Sequence, residues 1–156
     1  MKIDVLSVGT KMPVWVQQAT GEYIKRLGRE LPLRFSEIPL VKRSKSQSIK
    51  TYVDKEGQQL LAKVPSNSYV VALEVTGKVL DTPQLAYQIE KLNFEALDLC
   101  LLVGGPDGLS AACRDKAAAL WSLSALTLPH PLVRVILAEQ IYRAHSILKG
   151  HPYHRE

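Results

Sequence analysis

The stretch Leu99-Cys100-Leu101-Leu102-Val103-Gly104-Gly105-Pro106-Asp107-Gly108-Leu109-Ser110 runs from continuous apolar residues into a glycine-rich turn and then toward a helix-like segment. A short apolar run of this kind marks a strand buried on both faces, as in a parallel sheet covered by helices. Tyr69 to Val75 reads the same way, through Val70, Val71, Ala72, Leu73 and Val75. Two such strands among helical patterns decide the fold class: α/β, a mainly parallel sheet with helices on both faces.

Outward from there the chain keeps alternating. Met1 to Val8 reads as a first strand ending at Gly9, and Val14 to Leu27 as a helix stopped by Gly28. Leu31 to Ile38 is a second strand, ended by Pro39, and Ile49 to Val64 a second helix. Asp81-Thr82-Pro83 opens a third helix through Leu92, and Ala111 to Trp121 makes a short fourth. Ser122 to Leu128 then offers a fifth strand. Pro131 suits the N1 position of a last helix reaching Leu148, with Gly150 just past its end. With short connections, no repeats and no linker, residues 1–156 read as one domain.

The composition, 46% hydrophobic and 22% charged, is that of an ordinary globular protein and excludes disorder. No apolar run is long enough to span a bilayer and the N-terminus lacks a signal-peptide pattern, so a cytoplasmic protein with no membrane partner is expected. Cys100 and Cys113 fall in a predicted strand and helix, without a CxxC pair, and read as small buried hydrophobes. The histidines match no zinc spacing, so no metal is expected.

Net charge is +5, and residues 1–63 carry 12 Lys/Arg against 6 Asp/Glu while the remainder carries 8 against 9. That asymmetry hints at a polyanionic partner. The one loop with clustered charge, Val41 to Ser48, interleaves Lys42, Arg43 and Lys45 with serine. It reads either as a solvated surface loop or as a phosphate-contacting one.

Two transitions carry the candidate chemistry. The glycines of Gly104 to Gly108 let a backbone approach a ligand closely and offer free N–H groups. Their spacing is not a dinucleotide fingerprint, and no phosphate loop with G-K-S/T is present. Leu123-Ser124-Ala125-Leu126-Thr127-Leu128, locked by Pro129 and Pro131, reads as an ordinary core strand or as an apolar wall for an adenine ring. The last helix has an apolar stripe too wide for one packing face, which suggests a subunit contact. Arg134 in its first turn opposes the helix dipole and so has a task elsewhere, while Glu139 and Arg143 stand at i,i+4. In the tail, Tyr153, His154 and Arg155 combine a stacking ring, a titratable imidazole and a phosphate-pairing guanidinium.

Taken together and in order, four runs resemble the RlmH family. They are Val8-Gly9-Thr10-Lys11-Met12-Pro13, Leu102 to Ser110, Leu123 to His130, and His151-Pro152-Tyr153-His154-Arg155-Glu156. RlmH proteins are SPOUT-class methyltransferases of large-subunit ribosomal RNA, and the likeness extends along the whole chain. It implies S-adenosyl-L-methionine as methyl donor, N3 of a pseudouridine in 23S rRNA as acceptor, a homodimer, and a C-terminal trefoil knot. Carried over by position, the cofactor contacts would be Leu73, Gly104, Leu123, Ser124, Ala125, Leu126, Thr127 and Leu128. His130 and His154 are candidates to take the acceptor's proton, and Arg143 to hold phosphate or steady charge on the base. Lys42, Arg43, Lys45, Tyr153 and Arg155 would face RNA. The alternative is a non-catalytic RNA-binding ribosome-assembly factor on the same fold, which would bind RNA but no cofactor.

Overall fold

A computed structural model describes residues 1–155; Glu156, the end of the quoted tail, lies outside them. Ile3–Val8 (β1) and Asp98–Val103 (β4) lie side by side inside a five-stranded sheet. Leu33–Ile38 (β2) flanks β1, and Ser68–Val79 (β3) flanks β4, with Ala119–Ser122 (β5) outermost. The order is β2-β1-β4-β3-β5 and every pair is parallel. Between them run Val14–Leu27 (α1), Ile49–Ala62 (α2), Thr82–Phe94 (α3) and Ala111–Lys116 (α4), and the chain closes with His130–Leu148 (α5).

Successive residues of a strand point to opposite faces, and here the two faces are two cores. Ile3, Val5, Leu99, Leu101 and Val71 meet Leu27 of α1, Ile89 and Leu92 of α3, and Leu137 and Ile141 of α5. Leu6, Val8, Cys100, Leu102, Val70 and Ala72 meet Leu60 of α2 and Cys113 of α4. The continuous apolar reading of these strands is thereby explained, and both cysteines are buried and free. Burial pushes the Cys100 thiol up to about 12, with Asp4 adding to the shift, so it is inert.

Helix signals act where the sequence placed them. Asp81 and Gln84 form a capping box at α3, worth about 1 kcal/mol. The Ser110 hydroxyl accepts from the Cys113 amide to cap α4. Gly28 ends α1 at φ 58, a left-handed value that glycine adopts without strain. Pro129 is the N-cap of α5, so Pro131 stands at N2 and not N1. Among the described residues no helix is long and apolar enough to cross a membrane.

Two expectations at the sheet edge need correcting. The fifth strand is not Ser122 to Leu128 but the four residues Ala119–Ser122, taken from the end of the predicted fourth helix. That helix stops at Lys116 because Ala117 is extended and the Ala118 amide bonds the Val70 carbonyl at 2.8 Å, drawing the chain onto β3. Leu123 to Leu128 is a loop, turned by two 2.9 Å bonds: Ser122 Oγ to the Ser124 carbonyl, and the Leu126 amide to Ser124 Oγ. Further, β3 continues past Val75 to Val79. Leu73 and Lys78 both stand opposite Trp121, so Glu74 to Gly77 make a detour. Gly77 permits it, since a Cβ there would sit 2.6 Å from the Trp121 carbonyl carbon.

Candidate functional site

A cavity of about 450 Å³ opens where β3, β4 and β5 give way to their loops. Ligand pockets of parallel sheets lie at such carboxyl ends, typically with about 300–1,000 Å³. Its walls are the detour (Leu73 to Val75), the loop after β4 (Gly104, Gly105, Pro106, Gly108, Leu109) and the run from Ser122 to Val133. Of the residues assigned to the cofactor, Leu73, Gly104, Leu123, Ser124, Leu126, Thr127 and Leu128 line it; Ala125 does not. Leu126 is 73% exposed. Its side chain is outside the core that a strand would have buried it in.

Gly104 is required by close approach. A Cβ there would stand 2.5 Å from the Gly108 carbonyl carbon and 2.8 Å from the Leu109 amide nitrogen, both backbone atoms that cannot swing aside. Gly108, at φ 81, closes the turn through its amide to the Gly105 carbonyl at 3.0 Å. Neither requirement reflects a bound phosphate. The loop is shaped to bring its own backbone in contact with itself, leaving the cavity side bare.

His130 lines the cavity at the start of α5 and is half-buried. Burial lowers its pKa, Arg134 lowers it further, and the Gly104 backbone and Glu37 pull it partly back. Arg134 Nε donates to His130 Nε2 at 3.1 Å, which puts the imidazole proton on Nδ1. The task of Arg134 is now plain. Almost wholly buried, it also donates to Glu37 at 2.5 Å and to the Gly9 carbonyl at 2.7 Å, tying α5 to the ends of β1 and β2. Sequence reading flagged its odd place in the helix but not these partners, which lie 97 and 125 residues away.

The tail residues fall elsewhere. Tyr153 packs edge-on to Tyr142 at 4.7 Å and lies under the Arg143 guanidinium, also at 4.7 Å. Arg143 donates to Glu139 at 2.6 Å, which raises its pKa, and Tyr153 shares the same carboxylate oxygen at 3.3 Å. Burial, Tyr23 and Glu139 push the Tyr153 phenol up to about 12, so it stays protonated. Arg143, Tyr153, His154 and Arg155 do not line the cavity in this single chain. Both ring nitrogens of His154 are buried without a hydrogen-bond partner, an arrangement that costs roughly 1–3 kcal/mol per buried group left unpaired.

The basic loop divides. Lys42 and Lys45 are exposed and form no ion pair among the described residues. Arg43 instead turns inward, bonded to buried Glu56 and, through Nη2 at 2.6 Å, to Asp107 of the loop after β4. Among the described residues no cluster of three acidic, histidine or cysteine side chains could hold a metal ion.

Comparison with known proteins agrees with this geometry. A family model described as "Predicted SPOUT methyltransferase" matches residues 1–154. A protein of Hahella chejuensis, "Ribosomal RNA large subunit methyltransferase H", is 54% identical over 156 residues, the full length of both chains. Two solved methylase-family structures share the fold at 11% identity. The one from Neisseria gonorrhoeae has a TM-score of 0.52 and covers 90% of this chain and 81% of its own. The one from Haemophilus influenzae has a TM-score of 0.56, with 95% and 66% covered. Full-length likeness on a parallel sheet with a cavity at its carboxyl ends therefore places the chain in the RlmH family of SPOUT methyltransferases.

Proposed function

We propose that this enzyme transfers a methyl group from S-adenosyl-L-methionine to N3 of a pseudouridine in 23S rRNA, working as a cytoplasmic homodimer. The observation that carries the cofactor assignment is the cavity itself, apolar on the side of Leu73, Leu126 and Leu128 and bounded on the other by a loop that admits no side chain at residue 104. A flat ring fits the apolar side, and spare backbone groups suit its polar edge. When bound, the cofactor supplies a methyl carried on a sulfonium leaving group. The chain then has to align donor and acceptor and dispose of the N3 proton.

A base must be neutral before it acts, and burial keeps His130 neutral at the cavity rim. Its Nε2 lone pair is engaged by Arg134, so it takes up a proton there only when Arg134 yields toward Glu37. The second candidate, His154, reaches a cavity through the homodimer, where the tail of one protomer lies over its partner's cofactor. Tyr153 and Arg155 then stack on and neutralise RNA, and Arg143 steadies the tail through Tyr153. Lys42 and Lys45 supply phosphate contacts at the opposite side of the loop after β4. The C-terminal part closes as the family's trefoil knot. In support, α5 starts between the cavity loops, and Arg134 bonds the Gly9 carbonyl.

The test is methyl transfer from tritiated S-adenosyl-L-methionine to 50S subunits and 70S ribosomes, with the product located by mass spectrometry. Methyl at N3 of a pseudouridine, absent with Gly104→Val, is expected. RNA binding with neither cofactor binding nor transfer to 23S rRNA in either particle would overturn the assignment in favour of a binding-only factor.

A further inference from the structure

Arg43 sits in the middle of the basic loop, one and two residues from Lys42 and Lys45, yet its guanidinium is paired with two carboxylates. One edge holds Glu56 of α2, a carboxylate only 2% exposed that also accepts the Val41 amide at 3.0 Å. The other edge grips Asp107 with Nη2 at 2.6 Å and Nε at 3.2 Å. Nη1 further donates to the Val41 carbonyl at 2.8 Å, and the plane lies 5.2 Å from the Tyr52 ring. Tyr52 in turn fixes the next residue, its hydroxyl accepting the Ser44 amide at 2.8 Å and donating to the Ser44 carbonyl at 2.9 Å. Every donor direction of Arg43 is thus committed. A guanidinium already paired with two carboxylates, which raise its pKa further, is a poor free hand for phosphate.

Asp107 belongs to the loop whose backbone bounds the cofactor cavity. We propose that Arg43 is a positioning residue: it clamps the loop Gly104 to Leu109 onto the base of the basic loop and α2, and so sets the cavity wall for the cofactor. This rests on the cofactor reading given above. The planar fork is what the position needs, since a lysine ammonium can neutralise Glu56 but cannot span two carboxylates in one plane. The clamp also makes the loop bearing Lys42 and Lys45 and the cavity wall one mechanical unit, so that a push on either is felt by the other.

The experiment uses the full-length protein in four forms: parent, Arg43→Lys, Asp107→Asn and the double variant. Each is titrated calorimetrically with S-adenosyl-L-methionine. In parallel, hydrogen exchange is followed at the amides of Gly105 to Leu109 without ligand. Arg43→Lys keeps a charge beside buried Glu56 and Asp107→Asn removes only a surface carboxylate, so both should fold. Each single variant is expected to weaken cofactor binding at least about fivefold, the lower end of ordinary coupling between sites, and to speed exchange in the loop. The double variant should be no worse than the singles, because all three break one contact. Asp107→Asn matching the parent in both affinity and exchange overturns the clamp, as does a double variant whose loss is the product of the two. Retention of full affinity by Arg43→Lys would make Arg43 a simple charge and also overturn it. Were the parent itself to bind no cofactor, the cofactor reading would fall, while loop exchange would still decide the clamp.

Discussion

The two loops that wall the cavity are built in opposite ways. The loop after β4 is clamped from three sides: Gly108 bonds back to Gly105, Asp107 is gripped by Arg43, and the Arg114 guanidinium donates to the Leu109 carbonyl at 2.7 Å. Leu109 is sunk in the core beneath α2 and α4. Among the described residues the side-chain hydrogen bonds of the loop after β5 are just the two short-range ones of Ser122 and Ser124, and the loop exposes Leu126. One wall is pre-formed and the other holds Leu126 out to solvent. A site made this way spends little to orient its rigid half and gains affinity by burying its soft half.

The sharpest way to break that contrast is Gly104→Val. Its side chain meets immovable backbone, so a loss of cofactor affinity of roughly 10- to 100-fold is expected, the equivalent of ~1–3 kcal/mol of overpacking. Calorimetry measures it, with circular dichroism confirming the fold. Next, Arg134→Met removes the anchor just beyond the soft loop. Because Glu37 retains about a third of its exposure, roughly 2 kcal/mol of stability should be lost, read as a lower urea midpoint with an unchanged m-value. Leu126→Ser should cost about tenfold in cofactor affinity, from the apolar area its ligand covers, while the melting temperature stays put. A fall in melting temperature there would mean that the soft loop is core after all.

The smallest effect is a pH dependence. His130 has its pKa lowered in the fold, so the unfolded chain binds more protons below about pH 6.5. Its contribution to stability is therefore complete above that value and declines as pH falls toward the folded pKa. The difference in unfolding free energy between parent and His130→Asn should change between pH 7 and 5 and be flat above. His145, lowered by burial in the same sense, is common to both proteins and cancels.

Much of this was legible in the residues. A run such as Leu99 to Val103, apolar at every position, could only be a strand buried on both faces, and the glycine loop announced a close approach of backbone. The soft loop misled for a physical reason. Leu123 to Leu128 has the apolar content of a strand, but its leucines line a cavity, and composition does not distinguish a core from a cavity wall. Conversely, Ala119–Ser122 has nothing that outweighs a helix locally. It is a strand because β3 offers it an edge, which is a tertiary fact. Arg43 illustrates the same limit from the charge side. Beside Lys42 and Lys45 it reads as part of a basic patch, and only the fold reveals carboxylates 13 and 64 residues away on either side of it.

The strand order has a consequence for how the chain is made. β1 emerges first and finds β2 soon after, but its other neighbour, β4, begins 95 residues after β1 does, at Asp98. Until then β1 and β3 each present an open, apolar parallel edge, because β4 is the strand that fills the gap between them. Open edges of this composition are sticky, and parallel pairings at long separation close slowly. The middle of the sheet thus stays open until β4 emerges, with only the edge strand β5 still to follow, so nascent chains stalled before Asp98 should be the aggregation-prone species during synthesis.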